Sequence, residues 1–146
     1  LELTKKEFNM RNRPILDVVK AQFSGSKTSY EGIQFPHSLE YAISNRSEIV
    51  ATSVKALNRV VINGAVVSKN RFITGMITHG EDIAASVYMS EEVFADFKGS
   101  KNKAMISVVL EYSGMLKNKE EKYTTKFEIE YSPIENELRF ANRSYS

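Results

Sequence analysis

Apolar and polar residues alternate with a period of two along most of this chain, which is the pattern of strands that bury one face. Leu39, Tyr41 and Ile43 alternate with Glu40, Ala42 and Ser44. Ile106, Val108, Leu110 and Tyr112 alternate with Ser107, Val109 and Glu111, and Tyr123, Thr125, Phe127, Ile129 and Tyr131 alternate with Lys122, Thr124, Lys126, Glu128 and Glu130. A segment from Ile49 to Ile62 runs into Asn63-Gly64 and then Ala65, Val66 and Val67. Both central residues of a type I′ turn need positive φ, which Gly supplies freely and Asn at low cost, so Asn63 and Gly64 predict an antiparallel hairpin.

The remaining segments fill in around these. Ile15 to Phe23 predicts a strand whose imperfect alternation, with Asp17 among the apolar residues, suggests an edge position or a bulge. Ser24 to Glu31 reads as a loop, Arg71 to Thr78 and Ile83 to Met89 as strands, and His79 to Asp82 as the turn between them. Ser90 suits an N-cap, Glu91 and Glu92 suit the positive end of a helix dipole, and Val93, Phe94 and Phe97 share a face, so a two-turn helix stopped by Gly99 is expected. Gly114 to Glu121 reads as a Lys-rich loop, and Pro133 to Asn136 as a turn into a last strand carrying Leu138 and Phe140, which are expected to be buried while Lys126, Glu128 and Glu130 are exposed. At the start, Thr4 with Glu7 forms a capping box and Pro14 stops the helix, so residues 1–13 predict a helical stalk or linker. Residues 14–146 form the domain. About eight short strands with one internal helix predict an antiparallel β-sandwich, with a closed β-barrel as the alternative.

Composition removes several classes of function. The 146 residues suffice for one domain with a sizeable core, and no apolar run approaches the roughly 18 residues of a membrane span. Having no cysteine, the chain lacks disulfides, thiolate metal sites and cysteine nucleophiles. A net charge of +2 without a dense Lys/Arg block gives no ground for nucleic acid as a partner.

Arg13-Pro14 before a hydrophobic strand, a strand ending at Asn45, and Ala51 with Val54 leading into the next strand form a constellation. It resembles prokaryotic membrane-anchored proteins of unknown function, in which a transmembrane segment and a helical stalk precede an Arg-Pro step and an immunoglobulin-like sandwich. That family carries an Asn-x-Gly-x-x-x-Ala type of turn, and Ser47 stands here where Gly is commoner. The resemblance implies an immunoglobulin-like fold and a tether through an upstream segment. It implies structural roles for Arg13, Pro14, Asn45 and Ala51, and no chemistry. The residue types themselves suit Asn45 to a left-handed or Asx-turn conformation at the strand end, and Ala51 to a place where sheets converge.

Candidate chemistry is sparse. His79 with Glu81 and Asp82 reads as a surface turn before it reads as a metal or acid/base cluster, and His37 follows Pro36 without companions. No Gly-x-Ser-x-Gly elbow, phosphate loop or dinucleotide fingerprint occurs. Asn45-Arg46-Ser47 and Asn142-Arg143-Ser144 match the glycosylation pattern at a chance frequency. Tyr112, Tyr123 and Tyr131 lie on the apolar parity and predict core packing; Lys101, Lys103, Lys117, Lys119 and Lys122 predict solvated loops.

These readings lead to a noncatalytic interaction or sensory domain of a membrane-tethered protein, with an unknown protein partner and no cofactor. The alternative is a barrel receptor for a small, nucleotide-like ligand. Lys5, Lys6, Arg11 and Arg13 outnumber Glu2 and Glu7, which tilts the expected topology toward the cytoplasmic side.

Overall fold

The computed structural model describes residues 13–24, 27–99, 101–116 and 119–146. The expected helix over residues 1–13 lies outside them except for Arg13. The described chain is all-β, with several sheets and one short internal helix. In order it comprises β1 (Leu16–Ser24), β2 (Thr28–Tyr30), β3 (Ile33–Phe35), β4 (His37–Asn45), β5 (Ala51–Ile62), β6 (Ala65–Ile77) and β7 (Asp82–Met89), followed by α1 (Glu91–Lys98), β8 (Ala104–Leu116), β9 (Lys119–Ser132) and β10 (Glu137–Tyr145). The three sheets have the orders β1-β4-β7, β10-β9-β8-β5-β6 and β2-β3, and every pairing is antiparallel.

Strand parity decides which side chains enter the core. Leu39, Tyr41 and Ile43 on β4, Val54, Ala56 and Val60 on β5, Ile106, Val108 and Leu110 on β8, and Phe127 and Ile129 on β9 are all buried. One cluster joins them with Leu16 and Val18 of β1 and Phe97 of α1, so both larger sheets and the helix feed a single core. The Tyr41 hydroxyl of β4 donates to Asn58 Oδ1 of β5 at 2.6 Å, linking the two sheets through it.

Local signals explain the connections. Asn63 (φ 51°) and Gly64 (φ 84°) both adopt the positive φ that a type I′ turn requires. In β1 the register shifts between Val19 and Gln22, where Lys20 has φ 57°, and the strand lies at the edge of its sheet. On α1 the Ser90 hydroxyl accepts from Val93 N at 3.2 Å, and Phe97 is the buried anchor. Among the described residues no helix is long and apolar enough to cross a membrane.

Four expectations change. The segment read as a loop over Ser24 to Glu31 contains β2, because Glu31 (φ 51°) and Gly32 (φ 78°) form a tight turn into β3. Arg71 to Thr78 is the second half of one 13-residue strand, β6, rather than a separate one. The loop expected over Gly114 to Glu121 is the end of a longer hairpin, since Gly114, Met115 and Leu116 pair with Glu121, Glu120 and Lys119. Backbone pairing continues there after the apolar alternation has stopped. Leu138 and Phe140 are half-buried, as are Glu128 and Glu130, because β10 is an edge strand and the outer face of β9 is crowded by its neighbours. Lys126 is exposed as expected.

Candidate functional site

The structure disperses the polar trio of the β6–β7 turn. His79 Nδ1 donates to the Ser47 carbonyl at 2.9 Å, Glu81 Oε1 accepts from Thr78 N at 3.1 Å, and Asp82 lies 3.6 Å from the Lys20 amine. Gly80 (φ 76°) gives the turn its shape. No group of three or more potential ligands for a metal ion occurs among the described residues. His37 stacks on Phe94 at 3.8 Å and meets Glu91 Oε2 at 2.9 Å, fastening β4 to α1.

The residues of the family resemblance meet at a corner of the fold. Asn45 is buried, and its amide is fully occupied. Nδ2 donates to the carbonyls of Ile49 (2.9 Å) and Ile77 (2.8 Å), while Oδ1 accepts from the Ser47 backbone N–H (2.9 Å) and hydroxyl (2.8 Å). This is an Asx turn with a negative φ, and it joins the ends of β4 and β6. Ser47 Oγ accepts from Ile15 N at 3.1 Å, which ties the corner to the residue before β1. Ala51 is fully buried beside this corner. Arg13 donates to the Tyr112 hydroxyl at 3.2 Å and lies 4.2 Å from the Tyr123 ring centroid, and Pro14 packs on Gly114. Asn63 accepts from Lys103 N at 2.9 Å and donates to Asn102 at 3.1 Å, tying its turn to the start of β8.

One polar cluster has no local sequence signal. Asp17, buried in β1, is gripped by Arg143 Nη1 at 2.9 and 3.0 Å and by Arg46 Nε at 3.1 Å. Both arginines sit inside the glycosylation-like tripeptides, and the buried, doubly donating amide of Asn45 leaves that position no room for a glycan. Burial pushes the Tyr41 hydroxyl far above the usual tyrosine range, with the bond to Asn58 acting in the opposite direction, so Tyr41 stays a neutral donor. Burial also raises Tyr123, opposed by the Arg13 charge.

The candidate site lies where sequence reading placed none. A cleft of about 230 Å³ is lined by Tyr30, Leu57, Asn58, Arg59, Lys69, Asn70 and Arg71. Arg59 stands directly opposite Lys69, and Leu57 opposite Arg71. Tyr30 comes from the β2–β3 hairpin, and its hydroxyl accepts from Arg71 N at 3.3 Å on the free edge of β6. Counting back from the Asn63-Gly64 turn in plain register would set Arg59 against Ser68 and put Lys69 on the other face. A register shift between Val60 and Val61, with Val67 as the extra residue, moves Lys69 and Arg71 onto the face of Arg59. A second cleft, of about 280 Å³, lies near the Ser53 bulge and is lined by Lys55, Glu111 and Lys122 among others, so its charges are mixed. No family model, curated protein or solved structure matches the chain.

Proposed function

We infer that this chain is a noncatalytic interaction or sensory domain on an immunoglobulin-like sandwich plan, tethered to a membrane. Strand order supports the plan. With β1, β4, β5, β6, β7, β8 and β9 taken as A, B, C, C′, E, F and G, the neighbours are A-B-E in one sheet and C′-C-F-G in the other, with β10 added beyond G. The core supports a sandwich over a ligand-holding barrel, since the apolar side chains of both sheets fill it.

The observation that carries the interaction reading is the outer face of β5, β6 and β8. Leu57 with Val109 and Val61 with Met105 form two half-buried apolar pairs there, on either side of the Arg59–Ser107 row, and Val66 and Ile73 beyond them are 55% and 61% exposed. Cross-linking of the full-length protein in its own cells tests this. A discrete cross-linked species should form and should vanish in Met105→Glu/Val109→Glu, a variant that keeps the wild-type melting temperature within a few degrees. Persistence of that species would remove the face from the reading.

Tethering is tested separately by fractionation. Full-length protein found in the soluble fraction refutes a membrane anchor, and cleavage by protease added to intact cells refutes a cytoplasmic orientation.

A further inference from the structure

The cleft between Tyr30 and the β5–β6 hairpin concentrates positive charge that the protein itself leaves unanswered. Arg59, Lys69 and Arg71 line it, no carboxylate does, and none of the three forms an ion pair among the described residues. Arg59 and Lys69 face each other directly across an antiparallel pair, an arrangement that destabilises a sheet when the charges are alike. Arg71 follows on the same face two residues beyond Lys69. The bulge at Val67 creates this juxtaposition, because a regular hairpin would separate the charges onto opposite faces. The fold therefore assembles three repelling cations around a concavity, a cost that a bound anion offsets.

An aromatic stack reaches the same place. Phe35 stacks on Tyr88 at 5.6 Å, Tyr88 stacks on Tyr30 at 4.9 Å, and Tyr30 lines the cleft. We propose that the cleft binds a small phosphate ester carrying a planar ring, of the nucleotide class. The two guanidinium groups and the Lys69 amine take the phosphate oxygens, and Tyr30 offers its ring to the base. Guanidinium forks match phosphate geometry and the ammonium adds a point charge. A volume of about 230 Å³ suits a small ligand. The proposal deepens the sensory half of the reading above and rests on the cations and Tyr30, although the cleft shares Leu57 with the protein-binding face.

Calorimetric titration of the 146-residue chain with pyrophosphate and with adenosine monophosphate tests it, alongside vesicles containing phosphatidylserine. Both free anions should bind saturably and more weakly as salt rises. Arg59→Gln and Arg71→Gln should each lower affinity about tenfold, the scale of one charged hydrogen bond. Tyr30→Ala should weaken the nucleotide and spare pyrophosphate. Lys126→Gln, on the same sheet but away from the cleft, should change neither. Ligand-free Lys69→Gln should melt no lower than wild type, since it relieves repulsion, yet gain less stability from the anion.

No saturable binding, or an equal loss in Lys126→Gln, overturns the site. Binding to the vesicles without binding to either free anion also overturns it, pointing to a lipid headgroup at a charged surface. Loss of the cross-linked species with nucleotide binding intact, or the reverse, separates failure of the interaction face from failure of this cleft.

Discussion

Phe127 and Asp17 show how differently single residues announce themselves. Phe127 falls on the buried parity of β9, is 1% exposed, and packs edge-on against Tyr145 at 6.5 Å. Its burial was legible from alternation alone. Phe127→Ala should cost about 3–5 kcal/mol, read as a lower denaturant midpoint, and an unchanged midpoint would contradict the parity. Asp17 was legible only as an irregularity in an apolar run, because its partners Arg46 and Arg143 come from distant parts of the chain. Arg143→Gln leaves the carboxylate the Val18 N–H and one ion-pair partner, Arg46, whose side chain is 60% exposed. The loss should lie near the low end of the roughly 3–5 kcal/mol for a broken buried pair, measured by urea unfolding. Asp17→Asn in the same background should recover part of it, since no buried charge is then left short of a partner.

At the scale of elements, the strands with one dry face and the capped helix α1 were legible, and the departures have specific causes. The β8–β9 hairpin continues through Gly114 to Leu116 on backbone pairing alone, where side-chain alternation carries no information. The β2–β3 turn uses Glu31-Gly32, which lacks the Asn or Asp that usually marks such turns. The charged cleft was hidden by one extra residue at Val67, since a one-residue change of register moves side chains to the other face. Packing between elements is specific as well. A Cβ on Gly114 would lie 2.5 Å from Cγ and Cδ of Pro14, so Gly114→Ala should destabilise by about 1–3 kcal/mol through overpacking. Adding Pro14→Ala should return part of that loss. If the two effects simply add in thermal melts, the contact between Pro14 and Gly114 does not cause the penalty.

For the molecule as a whole, the Tyr41 to Asn58 bond lies inside the core that both sheets share, and its chemistry predicts an alkaline limit to stability. The folded state holds the Tyr41 proton more tightly than the unfolded chain does. Its contribution is therefore complete below about pH 10, the ordinary tyrosine value, and declines as pH rises beyond it. Tyr41→Phe should lower stability at neutral pH by about 1–2 kcal/mol, through the unpaired Asn58 acceptor, and should flatten the decline above pH 10. An equally steep decline in the variant would assign it to other groups. All-β character followed from the sequence because alternation is local. How the sheets share strands did not, because that depends on pairings such as Ile62 with Ala104. The same distinction governs the order of assembly. The Asn63-Gly64 turn lets β5 and β6 zip together on the microsecond scale typical of hairpins, whereas β5 must wait for β8 to arrive from far along the chain. Gly64→Ala, forced to φ 84°, should slow refolding while leaving the unfolding rate nearly unchanged, which places this hairpin in the folding nucleus.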